Sequence, residues 1–169
     1  MTITFAGEAA TVAGNPLGLD MSARKAAVSG SFAYRPCLVD SRPQDPQRGE
    51  YDHGGGGGPF TLSVAGKTVT GSGNPVVKVE DLNPDTFRWL DGPQLLDKDK
   101  TKRQMSLDGT ANPELKVSLS ITDGSGAAFA SDALPQSFPL LDIGSYTHTF
   151  SITDGGGTLM LQLSSLTQQ

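Results

Sequence analysis

Residues 115–122 read LKVSLSIT, apolar and polar in strict turn. Side chains on an extended strand point alternately to opposite faces, so this segment has one face for a core and one for water. The same period recurs along the chain. Phe60, Leu62 and Val64 alternate with Thr61 and Ser63, and Val69 lies on the return strand. Val28, Gly30, Phe32 and Tyr34 form one row, and Val77 and Val79 flank Lys78. Ile3, Phe5 and Val12 frame a first strand region, and Phe87, Trp89, Met105 and Leu107 continue the pattern. Tyr146, His148, Phe150 and Ile152 form another row, followed by Leu159, Leu161 and Leu163. No segment carries a helical period. The pattern predicts roughly nine or ten strands in an all-β, two-sheet antiparallel β-sandwich, with the jelly roll as one form of it and little helix.

Turn chemistry supports this division. All four asparagines, Asn15, Asn74, Asn83 and Asn112, precede proline. Proline fixes its own φ and pushes its predecessor out of the helical region, so each pair marks a loop. None of the four begins a glycosylation acceptor. LSITDGSG at 119–126 and FSITDGGG at 150–157 echo each other and read as two similar hairpins of one sandwich. Residues 131–143 carry two prolines and read as a long connection.

At 169 residues the chain suits a single domain over 1–169 with a real core. A net charge of -5 argues against nucleic acid, whose phosphates need a basic face. No apolar run is long enough for a membrane span. The start, MTITFAG, lacks the basic and apolar regions of a signal peptide, which fits a cytosolic chain or a mature N-terminus carrying an added Met. The single cysteine, Cys37, forbids an internal disulfide and reads as a buried or idle thiol rather than a nucleophile.

The most enzyme-like string is the run of five glycines at 54–58, followed by Gly66-Lys67-Thr68. A phosphate loop needs glycine where Thr61 stands, and it joins a strand to a helix. Here the context is strand, Ala65-Gly66 turn, strand. The glycine run therefore reads as a surface loop tip and Lys67 as a solvated side chain. Glu50, Asp52 and His53 are metal-capable, but no second ligand pair follows at a zinc-like spacing. Residues 97–100, DKDK, lack the later ligands of an EF-hand and read as a solvated loop. Asp123, Asp132 and Asp154 are turn aspartates that could also hold Ca²⁺. His148, among threonines, reads as a solvated or edge histidine. Trp89, the only tryptophan, is either core or a sugar-stacking platform, with core favoured. No G-x-S-x-G serine signals a hydrolase.

Several strings taken in order carry a resemblance. AGEAATVAGNPLGL, VSGSFAY, DSRPQDPQRGEYDH, PFTLSVAGKTVTG, VVKVEDL and the stretch from ITDGSGAAFAS to LQLSSLTQQ resemble exported bacterial proteins that end in a PEP-CTERM sorting tail. The resemblance implies a β-rich, exported protein without known catalytic residues, of which this chain is the processed middle. It supplies no site residue.

These readings lead to a non-enzymatic surface or extracellular-matrix domain that acts by binding or self-assembly. It would have no cofactor and would lie outside the cell or on its surface. The alternative is a carbohydrate-binding module for an extracellular glycan, with Ca²⁺ as an optional ligand; a hydrolytic enzyme comes last. Self-assembly has a candidate element. Residues 158–166, TLMLQLSSL, form an uncharged strand near the chain end, and open strand edges pair readily with other chains. A homo-oligomer by edge pairing would follow if that strand were an edge. Pairing on both sides inside its own sheet is the slightly favoured arrangement.

Overall fold

The computed structural model describes residues 1–54, 59–92 and 103–169. All but the first of the five consecutive glycines lie outside the described residues, as does the DKDK segment at 97–100. The described residues form twelve strands: β1 (Thr2–Gly14), β2 (Ala27–Ala33), β3 (Arg48–Asp52), β4 (Thr61–Val64), β5 (Lys67–Thr70), β6 (Val76–Glu80), β7 (Asp85–Asp91), β8 (Met105–Leu107), β9 (Thr110–Asn112), β10 (Lys116–Asp123), β11 (Thr147–Asp154) and β12 (Gly157–Gln168). Among the described residues helix is confined to two 3-10 turns, Pro16–Gly18 and Met21–Ala23.

The strands pair in one continuous antiparallel sheet, in the order β3-β6-β7-β10-β11-β12-β1-β2-β4-β5-β8-β9. The sheet curls, so strands far apart in that order meet across the core. Phe60, just before β4, lies 5.2 Å from Trp89 of β7, and Phe32 of β2 lies 5.8 Å from Trp89. Phe5 and Phe150 meet edge to face at 5.0 Å. Such aromatic pairs stabilise the core by about 0.5–1.5 kcal/mol each beyond the area they bury.

The alternation does what its period requires. In β10, Val117, Leu119 and Ile121 are buried while Lys116 is exposed. The β4–β5 hairpin turns on Ala65 and Gly66, both at positive φ, with Gly66 at 76°. A glycine adopts that conformation without a Cβ clash. Lys67 is not merely solvated: its Nζ pairs with Asp108 at 3.0 Å. Cys37 is exposed, not buried.

The two DGxG motifs are not two hairpins. Asp154 ends β11 and sits in the turn of the β11–β12 hairpin, where it accepts from Gly156 N, Gly157 N and Leu17 N. Asp123 ends β10 and opens the connection over residues 124–146, which has no strand or helix. That connection is nevertheless fastened inside the fold. Phe129, Leu134, Phe138 and Leu140 are buried. The Tyr34 hydroxyl donates to Pro135 O, the Tyr51 hydroxyl to Asp132 O, and Phe138 N to the Gln168 side chain.

The terminal edges are β3 and β9. β3 carries Arg48, Glu50 and Asp52, and β9 is three residues long. Charge and short length are two ways of blunting an edge.

Candidate functional site

On β3 the period of two sets the fate of the metal-capable residues. Glu50 and Asp52 share the outer face, while Tyr51 and His53 point to the core. Glu50 bonds Arg42 at 2.9 Å and Lys78 at 3.0 Å. Asp52 bonds Arg103 at 2.8 Å. His53 is buried, and its Nε2 accepts from Arg35 N at 3.0 Å. The proton then belongs on Nδ1, which lies 3.2 Å from Tyr51 O. Burial holds His53 below its ordinary pKa, so it stays neutral. The three side chains therefore do not converge on a cation: two are neutralised by basic partners and the third is spent on the backbone. Among the described residues no group of three metal-capable side chains comes together.

Next to this region Asp91 is fully buried. It accepts from Ser72 N at 2.9 Å, from the Ser72 hydroxyl and from Gly92 N at 2.8 Å. Burial pushes its carboxyl up, against those hydrogen bonds. Asp123 accepts from Ser125 N and Oγ and from Ala127 N, and the Ser125 bonds hold its carboxyl down. Asp85 accepts from Leu82 N and Phe129 N. These buried carboxylates clamp loops through bonds to backbone N–H groups.

Trp89 is 0% exposed and its indole N–H donates to Ala33 O at 3.0 Å. It is core, and it presents no face to a sugar.

A different place is unfinished. β12 pairs with β1 along nearly its whole length, but with β11 only from Gly157 to Leu161. The last rung is Phe150↔Leu161. Beyond it, residues 147–149 of β11 continue along β10, while β12 continues along β1. The register between β1 and β12 is irregular here. Gly7 faces Leu163 and Ala6 faces Ser165, so Ser164 is an extra residue on β12. A second extra residue, Ala10 on β1, lies opposite the end of the β11 pairing, and bulges of this kind bend and twist their strands. Gly7 permits the one at Ser164, because a Cβ there would collide with the Gln162 carbonyl.

The split holds a cleft of about 480 Å³, lined by Asp142, His148, Gln162, Leu163, Ser164 and Ser165 among others. Its volume is in the range of ligand pockets. Asp142 is already engaged by Gly144 N and the Ser145 hydroxyl. Neither lysine nor arginine lines the cleft among the described residues. His148 stands just past the last β11–β12 rung, at an edge, and is only partly solvated. It is half-buried on the inner row of β11, and its Nε2 accepts from Leu163 N at 3.3 Å. Its Nδ1 is buried without a hydrogen-bond partner. An imidazole thus takes the β12 N–H that a neighbouring strand would otherwise take.

Sequence reasoning placed His148 on the correct row but not at a split. The available signal was the doubled Ser164-Ser165, which breaks the alternation after Leu163. Comparison with protein-family models, with curated proteins and with solved structures finds no match.

Proposed function

We propose that this chain is a non-enzymatic domain of an exported surface protein, that it acts by binding, and that the split between β11 and β12 is its binding site. Its curled sheet then works as the two layers of a β-sandwich, rigid enough to present one opening. The observation that carries the reading is the half-paired strand: β12 runs on past Leu161 with β1 on one side and no strand on the other. The buried carboxylates, by contrast, are bound to loop N–H groups, which speaks for structural roles rather than for acid–base catalysis.

The uncharged β12 was the candidate edge for self-assembly. Its first half is paired on both sides, which favours binding in the split over fibre growth along the strand. An extracellular glycan is the second reading, favoured by the neutral lining of Gln162, Ser164 and Ser165. Against it, no aromatic ring other than the imidazole lines the cleft among the described residues.

The test is a pair of measurements on the full chain: a glycan array, and sedimentation over a wide concentration range. A monomer that binds a ligand through residues 141–148 and 162–166 supports the reading. A ligand footprint elsewhere, or hydrolytic turnover of a bound substrate, contradicts it.

A further inference from the structure

We infer that His148 is a stand-in for a backbone carbonyl, and that the split accepts one extended, uncharged polypeptide segment from a partner protein, which displaces the ring and pairs with β12 at Leu163. The inference rests on the split being the binding site, as proposed above.

The resting arrangement is a poor one. The Leu163 N–H reaches Nε2 at 3.3 Å, beyond the usual N–H donor range. Accepting through Nε2 puts the proton on Nδ1, and that donor is buried with no acceptor. A stranded buried donor is costly. A peptide carbonyl at Leu163 would make a shorter bond, and the displaced imidazole would regain partners for both nitrogens. Strand addition works in this way: main-chain hydrogen bonds give affinity and alternate side chains give specificity.

The chemistry of the occupant follows from the lining. The one carboxylate, Asp142, is engaged, and the flanking Gln162, Ser164 and Ser165 are neutral. A charged side chain in the segment would find no counter-charge there. A second copy is a poor source for the segment. Among the described strands, the uncharged β2, β4 and β12 are held inside the sheet, β11 is inside it and ends on Asp154, the edge β3 carries Arg48, Glu50 and Asp52, and β9 spans three residues. The described strands thus leave a different polypeptide as the source of the segment.

The probe is the acetylated, amidated peptide Ser-Val-Thr-Val-Ser, titrated into the ¹⁵N-labelled full chain. Expected are shifts at Leu163, His148 and residues 162–166, with cross-strand contacts of antiparallel pairing. His148→Ala removes the stand-in and is expected to tighten binding severalfold. His148→Gln keeps an acceptor for Leu163 N–H and is expected to bind like the parent. A peptide N-methylated on alternate residues, so that one edge cannot pair, is expected to lose binding. The inference is overturned if folded His148→Ala shows no peptide shifts, or if N-methylation changes nothing. Shifts at the cleft with chitobiose but not with peptide also overturn it, while leaving the cleft as the binding site. Peptide and sugar shifts that both fall outside the cleft overturn it and the site together.

Discussion

The two histidines make the same bond in two regions and end differently. His53 and His148 each accept a backbone N–H through Nε2, from Arg35 at 3.0 Å and from Leu163 at 3.3 Å. The Nδ1 of His53 has Tyr51 O within reach; the Nδ1 of His148 has no partner. The first ring is a finished structural joint between the end of β3 and the connection after β2. The second closes a gap that the sheet itself leaves open. The ring with both nitrogens satisfied is spent on the fold, whereas the half-satisfied ring beside the cleft is the place where the proposed partner would pair.

The largest expected effect comes from breaking the finished joint. His53→Ala leaves the part-buried Arg35 N–H without its acceptor and opens a cavity where the buried ring was. A loss of about 2–4 kcal/mol is expected, read from urea unfolding. A loss below about 0.5 kcal/mol, the size of a surface substitution, would show that the joint is not structural.

Next is the bulge that separates the two regions. Gly7→Ala puts a Cβ against the Gln162 carbonyl, so β1 and β12 must part. Overpacking of this kind costs about 1–3 kcal/mol. The Leu163 and His148 amide resonances are expected to move with it. Unchanged resonances at those two positions would sever the bulge from the cleft.

The finished joint also has a pH signature. His53 is held below its ordinary pKa of 6.5 by burial. As pH falls, the unfolded chain takes up this proton before the folded chain does. The contribution to stability is therefore full above pH 6.5 and is lost as pH falls through the lowered folded value. Between about pH 7 and 5 the parent is expected to lose more stability than His53→Gln. Parallel losses in the two proteins would assign the slope to other groups.

The smallest effect is expected at the unfinished site. His148→Ala removes one long bond and one stranded donor together, so stability is expected to change by no more than about 1 kcal/mol. A loss as large as that of His53→Ala would make the two rings equivalent and end the comparison.

Much of this fold was legible. The rows through Leu115, Val117, Leu119 and Ile121, and through Phe60, Leu62, Val64 and Val69, are buried as their period requires. The same period, applied to Glu50-Tyr51-Asp52-His53, already separates the two carboxylates from the histidine, although the residues look like a cluster in one dimension. Closure was not legible. Whether strands divide into two sheets or run on as one depends on which distant edges meet, and alternation carries no information on that. The echo of ITDG was legible as turn chemistry alone, because an aspartate accepts loop N–H groups equally well before a hairpin and before a long connection. The site was the least legible part. It lies beside register slips of one residue at Ser164 and at Ala10, and a bulge leaves only a faint break in the alternation.

Hydrogen exchange at single amides tests the central claim most directly. Leu161, the last β12 residue paired with β11, and Leu163, held by the ring, lie two residues apart on one strand. The expected result is a Leu163 amide far less protected than Leu161, exchanging by local opening and faster still in His148→Ala. Equal protection of the two amides in both proteins would mean that no edge is open at Leu163, and the split would not be a binding site.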